Sequence, residues 1–351
     1  MKYTLFHGAK KNVGDYLIRN RAKNLLFEYT DVTEEDLFEL EMVRKSISKE
    51  DLAQVRETDA VIIAGGPAYG SGDFADIYPS LSDVLDAGVP VFPLGPGWKG
   101  TDEDEFQFTS ESLALIQRIH EQIEFSGVRD LPTKRVLQKH GISNVELVGC
   151  PAWYDLEALG HSFEKPSTLE SLAISTAVPR SRYYRKQFRY LLRRVSDEFP
   201  DADLYCSFHR GISNDDHTPF INSLHLRRFK RVASKNGYTI LNPAYEPEKL
   251  EQYRDIDLHI GYRVHGHIYF LAMRHPSYLF QVDGRGTGVS ESLSTPGDVA
   301  AFGRGDYKQP VEELLDNVQR DITSEFSAFD NVAEVIDNTH RNMTRLIGTL
   351  P

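Results

Sequence analysis

What most limits the fold of this chain is an alternation of short apolar runs with longer amphipathic stretches, repeated in two series. Short apolar runs bounded by glycine or turn residues read as buried strands, and apolar residues recurring every three or four positions read as helices laid against them. "YTLF" (3–6) leads through "HGAKKNVGD" into a helix with Ile18, Ala22, Leu25, Leu26 and Tyr29 on one face. "AVIIAGG" (60–66), "VPVFPLG" (89–95), "IEFSG" (123–127) and "VELVG" (145–149) follow, with helices predicted near 75–87, 109–121 and 131–140. The stretch 154–171 has no strand pattern, contains Gly160 and Pro166, and reads as a linker. The second series runs "LAISTA" (172–177), "DLYCSFH" (203–209), "YTIL" (238–241), "DLHIG" (257–261) and "SYLFQV" (277–282), with helices predicted near 182–198, 219–236, 246–253 and 265–274. Strands joined by helices make parallel sheets, so the expected architecture is α/β, two similar halves facing a cleft.

Composition agrees with this reading. A chain of 351 residues has room for two domains at ~150 residues each. A net charge of -12 argues against a nucleic-acid partner, which calls for a basic surface. Two cysteines, Cys150 and Cys206, are too few for a disulfide framework and fit a reducing compartment. The start "MKYTLFHGAKK" lacks the apolar core of a secretory signal, and no apolar run approaches the ~20 residues of a membrane helix. A cytoplasmic protein without an integral membrane segment is expected; an oligomer stays open.

In parallel sheets ligands gather at loops beyond the carboxyl ends of strands. The first such loop offers Gly14 and Asp15 before a helix whose free N–H groups suit an anion or a sugar hydroxyl, although both residues equally serve to turn and cap that helix. "AGGPAYGSGD" brings Gly65 and Gly66 but fails the dinucleotide-binding spacing, which disfavours a nicotinamide enzyme. "GPGWKG" offers Trp98 as a stacking surface and Lys99 as a cation, and Arg129 and Asp130 stand at the end of another strand.

In the second series, seven basic residues fall between Arg180 and Arg194, most of them on the solvated face of an amphipathic helix; Arg180, just after a strand, is the one expected to point into the cleft. His209 ends the strand "DLYCSFH". Asp215 and Asp216 have no further ligands at a recognisable metal spacing, so no metal is expected. The densest cluster is "YRVHGH": Arg263 supplies a planar fork of donors for a carboxylate or phosphate, and His265 an imidazole that titrates near neutrality. Gly266 permits close approach, His267 faces another side of the helix, and Arg285 lies in the glycine-rich stretch 284–288, which reads as a mobile loop.

"NVGD", "VIIAGG", "SGVRDLPTKRVLQKHGISNVELVGCPA" and "YRVHGHIYFLAMRHPSYLFQVDGRGTG" together resemble, in that order, the motifs of the polysaccharide pyruvyl transferase family. The resemblance covers roughly 10–300 and is sharpest at Arg263, Val264, His265 and Gly266; the chain departs from many relatives at Cys150-Pro151 and at "GPGWKG". It implies two Rossmann-like domains of the glycosyltransferase-B type: 1–155 on the acceptor side, 170–320 on the phosphoenolpyruvate side, and a C-terminal helix, 321–351, packing back on the first. The implied reaction moves a pyruvyl group from phosphoenolpyruvate, a co-substrate rather than a cofactor, onto two hydroxyls of a sugar or glycan, free or lipid-linked. Arg263 and Arg180 would hold the donor, His265 would handle the proton, and Asp15 and Asp130 would serve the acceptor hydroxyls. A nucleotide-sugar glycosyltransferase and a non-catalytic glycan-binding relative remain the alternatives.

Overall fold

The computed structural model of the chain describes every residue except 9–11, 43, 70–73 and 302–304. It divides into two compact units: Met1–Lys10, Leu17–Tyr154 and Ile336–Pro351 form the first, Lys11–Tyr16 and Asp155–Val335 the second. The change of unit near the C-terminus thus falls at 335/336, not at 321.

The first unit holds strands β1 (Tyr3–His7), β2 (Leu37–Glu41), β3 (Ala60–Ala64), β4 (Val91–Leu94), β5 (Ser126–Val128) and β6 (Val145–Leu147), all parallel, in the order β2-β1-β3-β4-β5-β6. Helices α1 (Val13–Tyr29), α2 (Lys49–Val55), α3 (Phe74–Ile77), α4 (Leu81–Asp86), α5 (Ser110–His120) and α6 (Leu131–Lys139) connect them. The second unit holds β7 (Ser171–Ser175), β8 (Asp203–Ser207), β9 (Thr239–Leu241), β10 (Leu258–Gly261), β11 (Ser277–Gln281) and β12 (Val299–Ala300), also parallel, in the order β12-β11-β10-β7-β8-β9. Its helices are α7 (Arg182–Glu198), α8 (Phe220–Lys235), α9 (Val264–Ala272), α10 (Gly284–Leu293) and α11 (Gln309–Thr323); α12 (Asp330–Ile347) begins in this unit and ends in the first. Strand order in the second sheet reverses between β7 and β10, the place where doubly wound sheets open a crevice at their carboxyl edge.

The expected α/β class with two Rossmann-like parallel sheets is what the chain forms. The elements follow from the pattern: β3 and β7 are buried along their whole length, and α7 buries Phe188, Leu191, Leu192 and Val195 while its basic residues face outward. Caps set the helix starts, with Ser181 accepting from Tyr184 N and Asp130 from Thr133 N.

Four local expectations change. The glycine-rich stretch 284–288 is no loop but the opening of α10, because Asp283 caps it. The stretch near 75–87 splits into α3 and α4, with Pro79 between them. Residues Pro247–Tyr253 form a 3-10 helix. Strand β2 carries glutamates at positions 39 and 41, which hid it; Arg19 and Lys23 ion-pair with Glu39 and, although burial acts the other way, hold its carboxyl down at about 2. No helix among the described residues is long and apolar enough to cross a membrane.

Candidate functional site

The site is built where β7 and β10 lie side by side. A Cβ at Gly261 would meet Ser175 Oγ at 2.1 Å and Ser175 N at 2.8 Å, so only glycine lets the two strand ends run this close. Ser175 Oγ accepts from Arg263 N at 3.2 Å and lies 3.0 Å from His259 Nε2. Beneath it a buried polar chain continues, His259 Nδ1 to Ser277 Oγ at 2.7 Å and Ser277 Oγ to His267 Nδ1 at 2.9 Å; His267 Nε2, which has no hydrogen-bond partner, lies 3.5 Å from Asp298 Oδ2. Asp298 is itself fixed by Leu279 N, Ser290 and Thr295. Burial pushes the pKa of both His259 and His267 down, so neutral imidazoles span the chain and pin the turn that presents Arg263.

Arg263 is the N-cap residue of α9, and its Nε is buried with no hydrogen-bond partner. Burial, then the guanidiniums of Arg210 and Arg285, push its pKa down to about 9, leaving it charged at neutral pH. Arg210 follows β8 and is exposed. Arg285 follows β11 in the first turn of α10 and grips Asp283 with its Nε at 3.1 Å from Oδ1 and Nη2 at 2.6 Å from Oδ2. Burial opposes its charge, but Asp283 and then Asp15 outweigh it and hold the pKa up. Three guanidiniums from the ends of three strands therefore share one neighbourhood, and an unpaired donor buried among them costs about 1–3 kcal/mol unless an anion satisfies it.

The N-terminal turn of α1 belongs to this second unit. Asn12 caps it: its Oδ1 accepts from Gly14 N at 2.9 Å, while Asp15 Oδ2 accepts from Asn12 N at 3.1 Å and Nδ2 at 2.8 Å, so the two side chains tie the turn from both sides. Val13 N donates to His209 O at 3.2 Å. A Cβ on Gly14 would lie 2.1 Å from His265 Nδ1, so this turn and the first turn of α9 meet at a glycine. Gly266 works the same way against His209, whose Cε1 would stand 2.8 Å from an added Cβ. His209 Nε2 lies 2.8 Å from Tyr253 Oη, and burial, then Arg263 and His265, keep it neutral by driving its pKa well below the usual value.

Gly14, Asp15, His209, Arg263, His265, Gly266 and Arg285 are thus brought together. Arg180 is exposed, and its Nε donates to Asn222 Oδ1 at 3.3 Å; the cations that depress Arg263 are Arg210 and Arg285. Arg210 was missed although it adjoins His209 in "SFHRG". Ser175 and Thr176, whose Oγ1 is buried without a partner, carried no signal beyond ending an apolar run.

Of the remaining candidates, Gly65, Gly66, Trp98, Lys99, Arg129 and Asp130 lie in the first unit. Gly65 and Gly66 have φ of +51° and +77°, and a Cβ on Gly65 would meet Ile18 at 2.8 Å. Arg129 Nε donates to Asp130 Oδ2 at 2.6 Å and its Nη2 to Trp98 O at 2.6 Å, while Asp130 caps α6; both side chains are buried and bind the loop 96–98 to that helix. Lys99 is half-exposed. Trp98, expected as a stacking surface, is buried against Phe106 instead. Asp215 accepts from His217 N, Thr218 N and Tyr245 Oη and so organises a turn, and among the described residues no three His, Cys, Asp or Glu side chains gather as metal ligands do.

A family model described as polysaccharide pyruvyl transferase matches residues 10–284, more than three quarters of the chain. The chain belongs to the polysaccharide pyruvyl transferase family. The matched span takes in Gly14, Arg210, Arg263 and His265 and stops one residue before Arg285. No curated protein matches the chain. Among solved structures it is similar to the S. aureus MnaA–UDP co-structure (12% identity, TM-score 0.53, covering 100% of this chain and 99% of that one). UDP-GlcNAc 2-epimerase from Neisseria meningitidis bound to UDP-GlcNAc aligns at 9% identity and TM-score 0.55 over 98% and 99% of the two chains. The OtsA apo structure gives 9% identity and TM-score 0.55 over 99% and 98%. At such identities the likeness establishes the fold alone.

Proposed function

We propose that this pyruvyl transferase family member takes phosphoenolpyruvate as donor and forms a cyclic ketal on two hydroxyls of a sugar or glycan. The observation that carries the reading is the cluster of Arg263, Arg210 and Arg285 around a buried, unpaired Arg263 Nε, beside His265. Phosphoenolpyruvate has a phosphate and a carboxylate on one carbon, and two anionic groups so close need several fork-shaped donors in one place.

His265, on the first turn of α9, delivers a proton to the methylene carbon of the donor, which makes C2 electrophilic. One acceptor hydroxyl adds to C2 and gives up its proton. The C2–O bond to phosphate then breaks, the arginines stabilising the charge that collects on the leaving group. A second hydroxyl adds to C2 and closes the ketal. One hydroxyl proton ends on the new methyl group and the other leaves with hydrogen phosphate, so the imidazole returns to its starting state. Asp283 holds Arg285 in place, and the chain Ser175–His259–Ser277–His267 holds the turn that carries Arg263.

The alternative donor is a nucleotide sugar, since two of the similar structures contain UDP or UDP-GlcNAc and a diphosphate also suits three guanidiniums. Calorimetric titration with phosphoenolpyruvate and with UDP-GlcNAc, followed by phosphate release in the presence of glycan acceptors, separates the two. Binding of phosphoenolpyruvate with acceptor-dependent release of inorganic phosphate is expected; binding of the nucleotide sugar alone overturns the proposal.

A further inference from the structure

A second surface of the second unit has features that pyruvyl transfer does not call for. Among the described residues the large hydrophobic side chains that stand exposed are Met1, Tyr29, Phe220, Ile221 and Leu224, and the last three share the opening turns of α8, with Phe220 63% and Ile221 66% exposed. The inner face of α8 is already satisfied, since Leu226, Phe229 and Ala233 are buried against the unit's core. Phe220, Ile221 and Leu224 therefore form an apolar cluster held out from the fold, at a standing cost in water.

The rest of the same face is basic. Helix α7 carries six basic and two acidic residues and α8 five basic and none acidic, so the two helices hold a charge of +9 inside a chain of net -12. A cavity of about 200 Å³ between them is lined by Arg185, Arg189, His225, Arg228 and Arg231. His225 Nδ1 is buried there without a hydrogen-bond partner, and burial followed by Arg185 and Arg228 presses its pKa down. Arg194, elsewhere on α7, is paired with Glu312 and Glu198, whereas no carboxylate among the described residues pairs with Arg189, Arg228 or Arg231. The cationic groove is left un-neutralised, with the apolar cluster next to it on α8.

We propose that the α7–α8 face docks the protein on an anionic lipid bilayer, with Phe220, Ile221 and Leu224 entering the headgroup boundary and the groove arginines holding lipid phosphates. A bilayer supplies both chemistries at once, apolar depth and a sheet of negative charge, and clusters of basic residues beside exposed large hydrophobics are suited to it. A soluble polyanion would use the arginines but leave the apolar cluster without purpose. Arg180 reports which end of the sheet this face occupies. Its Nε donates to Asn222 in the first turn of α8, which places the cluster at the carboxyl edge, the edge that also carries Arg210 and Arg263. An acceptor presented on a membrane would then arrive at the working end of the unit, and the proposal stands whichever donor the site takes.

The test is flotation of the full chain with vesicles of phosphatidylcholine alone and of phosphatidylcholine mixed with phosphatidylglycerol. Binding to the anionic vesicles, weakened by added salt, and none to the neutral ones is expected. Arg228→Gln and Arg231→Gln should each lower vesicle affinity about fivefold, and the pair Phe220→Ser, Ile221→Ser by about tenfold or more. All four residues are exposed, so thermal unfolding should match the parent protein and exclude misfolding as the cause. Absence of flotation with anionic vesicles overturns the proposal, as does binding that ignores both sets of substitutions. Loss in the arginine variants alone, with heparin competing and the serine pair behaving as the parent, overturns it in favour of a soluble polyanion.

Discussion

Arg263 holds a charge in a place that burial and two neighbouring guanidiniums make unfavourable, with its Nε left without a partner. Such an arrangement persists because the residue is anchored from below: its backbone N–H donates to Ser175, which the buried histidine chain fixes in turn. Replacing the fork with a point charge, Arg263→Lys, is therefore expected to weaken phosphoenolpyruvate binding about tenfold to a hundredfold by titration calorimetry. Unchanged affinity would remove Arg263 from the donor site. The lowered pKa gives a pH dependence with a definite sign. The guanidinium is charged below about 9 and loses its proton above, so donor affinity should stay level through neutrality and fall as pH rises through that value; a fall already complete at neutral pH would contradict it. His265→Asn retains a hydrogen-bonding group but no titration, and should cost about 10² to 10⁴ in turnover while donor binding survives. His267→Asn is no neutral companion to it, since His267 is fully buried between Ser277 and Asp298 and its loss should lower the unfolding temperature.

The elements that carry these residues were unevenly legible. Arg263, Val264, His265 and Gly266 stand out because strand, turn and helix follow one another within a dozen residues, so local pattern is enough. Arg210 does not stand out, because β8 comes near β10 and β11 only through the crossover order β11-β10-β7-β8, which no spacing along the chain encodes. Arg285 was placed in a loop on the strength of three glycines, and the cap by Asp283 overrode their weak helix propensity. Least visible was the partnership of α1 with α9. Gly14 reads equally well as a turn residue, yet its missing Cβ is what admits His265. This can be tested: Gly14→Ala should favour the helix by propensity, but its Cβ would stand 2.1 Å from His265 Nδ1 and must displace the imidazole. A misplacement of about 1 Å can cost about 10² in rate, so turnover should fall about a hundredfold with donor affinity kept. Parent-like turnover would mean that His265 tolerates displacement and is not the proton donor.

At the scale of the molecule, the first unit is discontinuous: it opens the chain, gives way to the second unit, and is completed by residues 336–351. That closing segment is part of its core. Met343, Leu346 and Ile347 are buried, and Leu346 Cδ2 fills the space that a side chain on Gly127 of β5 would take, 2.6 Å from its ideal Cβ. Asn342 Nδ2 donates to Leu147 O at the end of β6 at 3.0 Å, the guanidinium of Arg345 lies 4.9 Å over the ring of Phe125, and Tyr3 Oη donates to Pro351 O at 2.8 Å. Loss of one large buried apolar side chain costs about 2–5 kcal/mol, and domains are held by about 5–15 kcal/mol in total, so removing these three together with the buried Ile336 approaches the whole stability of the unit. Truncation before Ile336 should therefore strip hydrogen-exchange protection from β1, β3, β4 and β5 while that of β7, β8 and β10 persists. Since α12 starts within the second unit, where Phe329 packs on Phe163 and Asp330 pairs with Lys165, the cut separates its two halves without touching those contacts. Full protection of the first sheet after truncation would mean that its six strands and their connecting helices hold together without the closing segment.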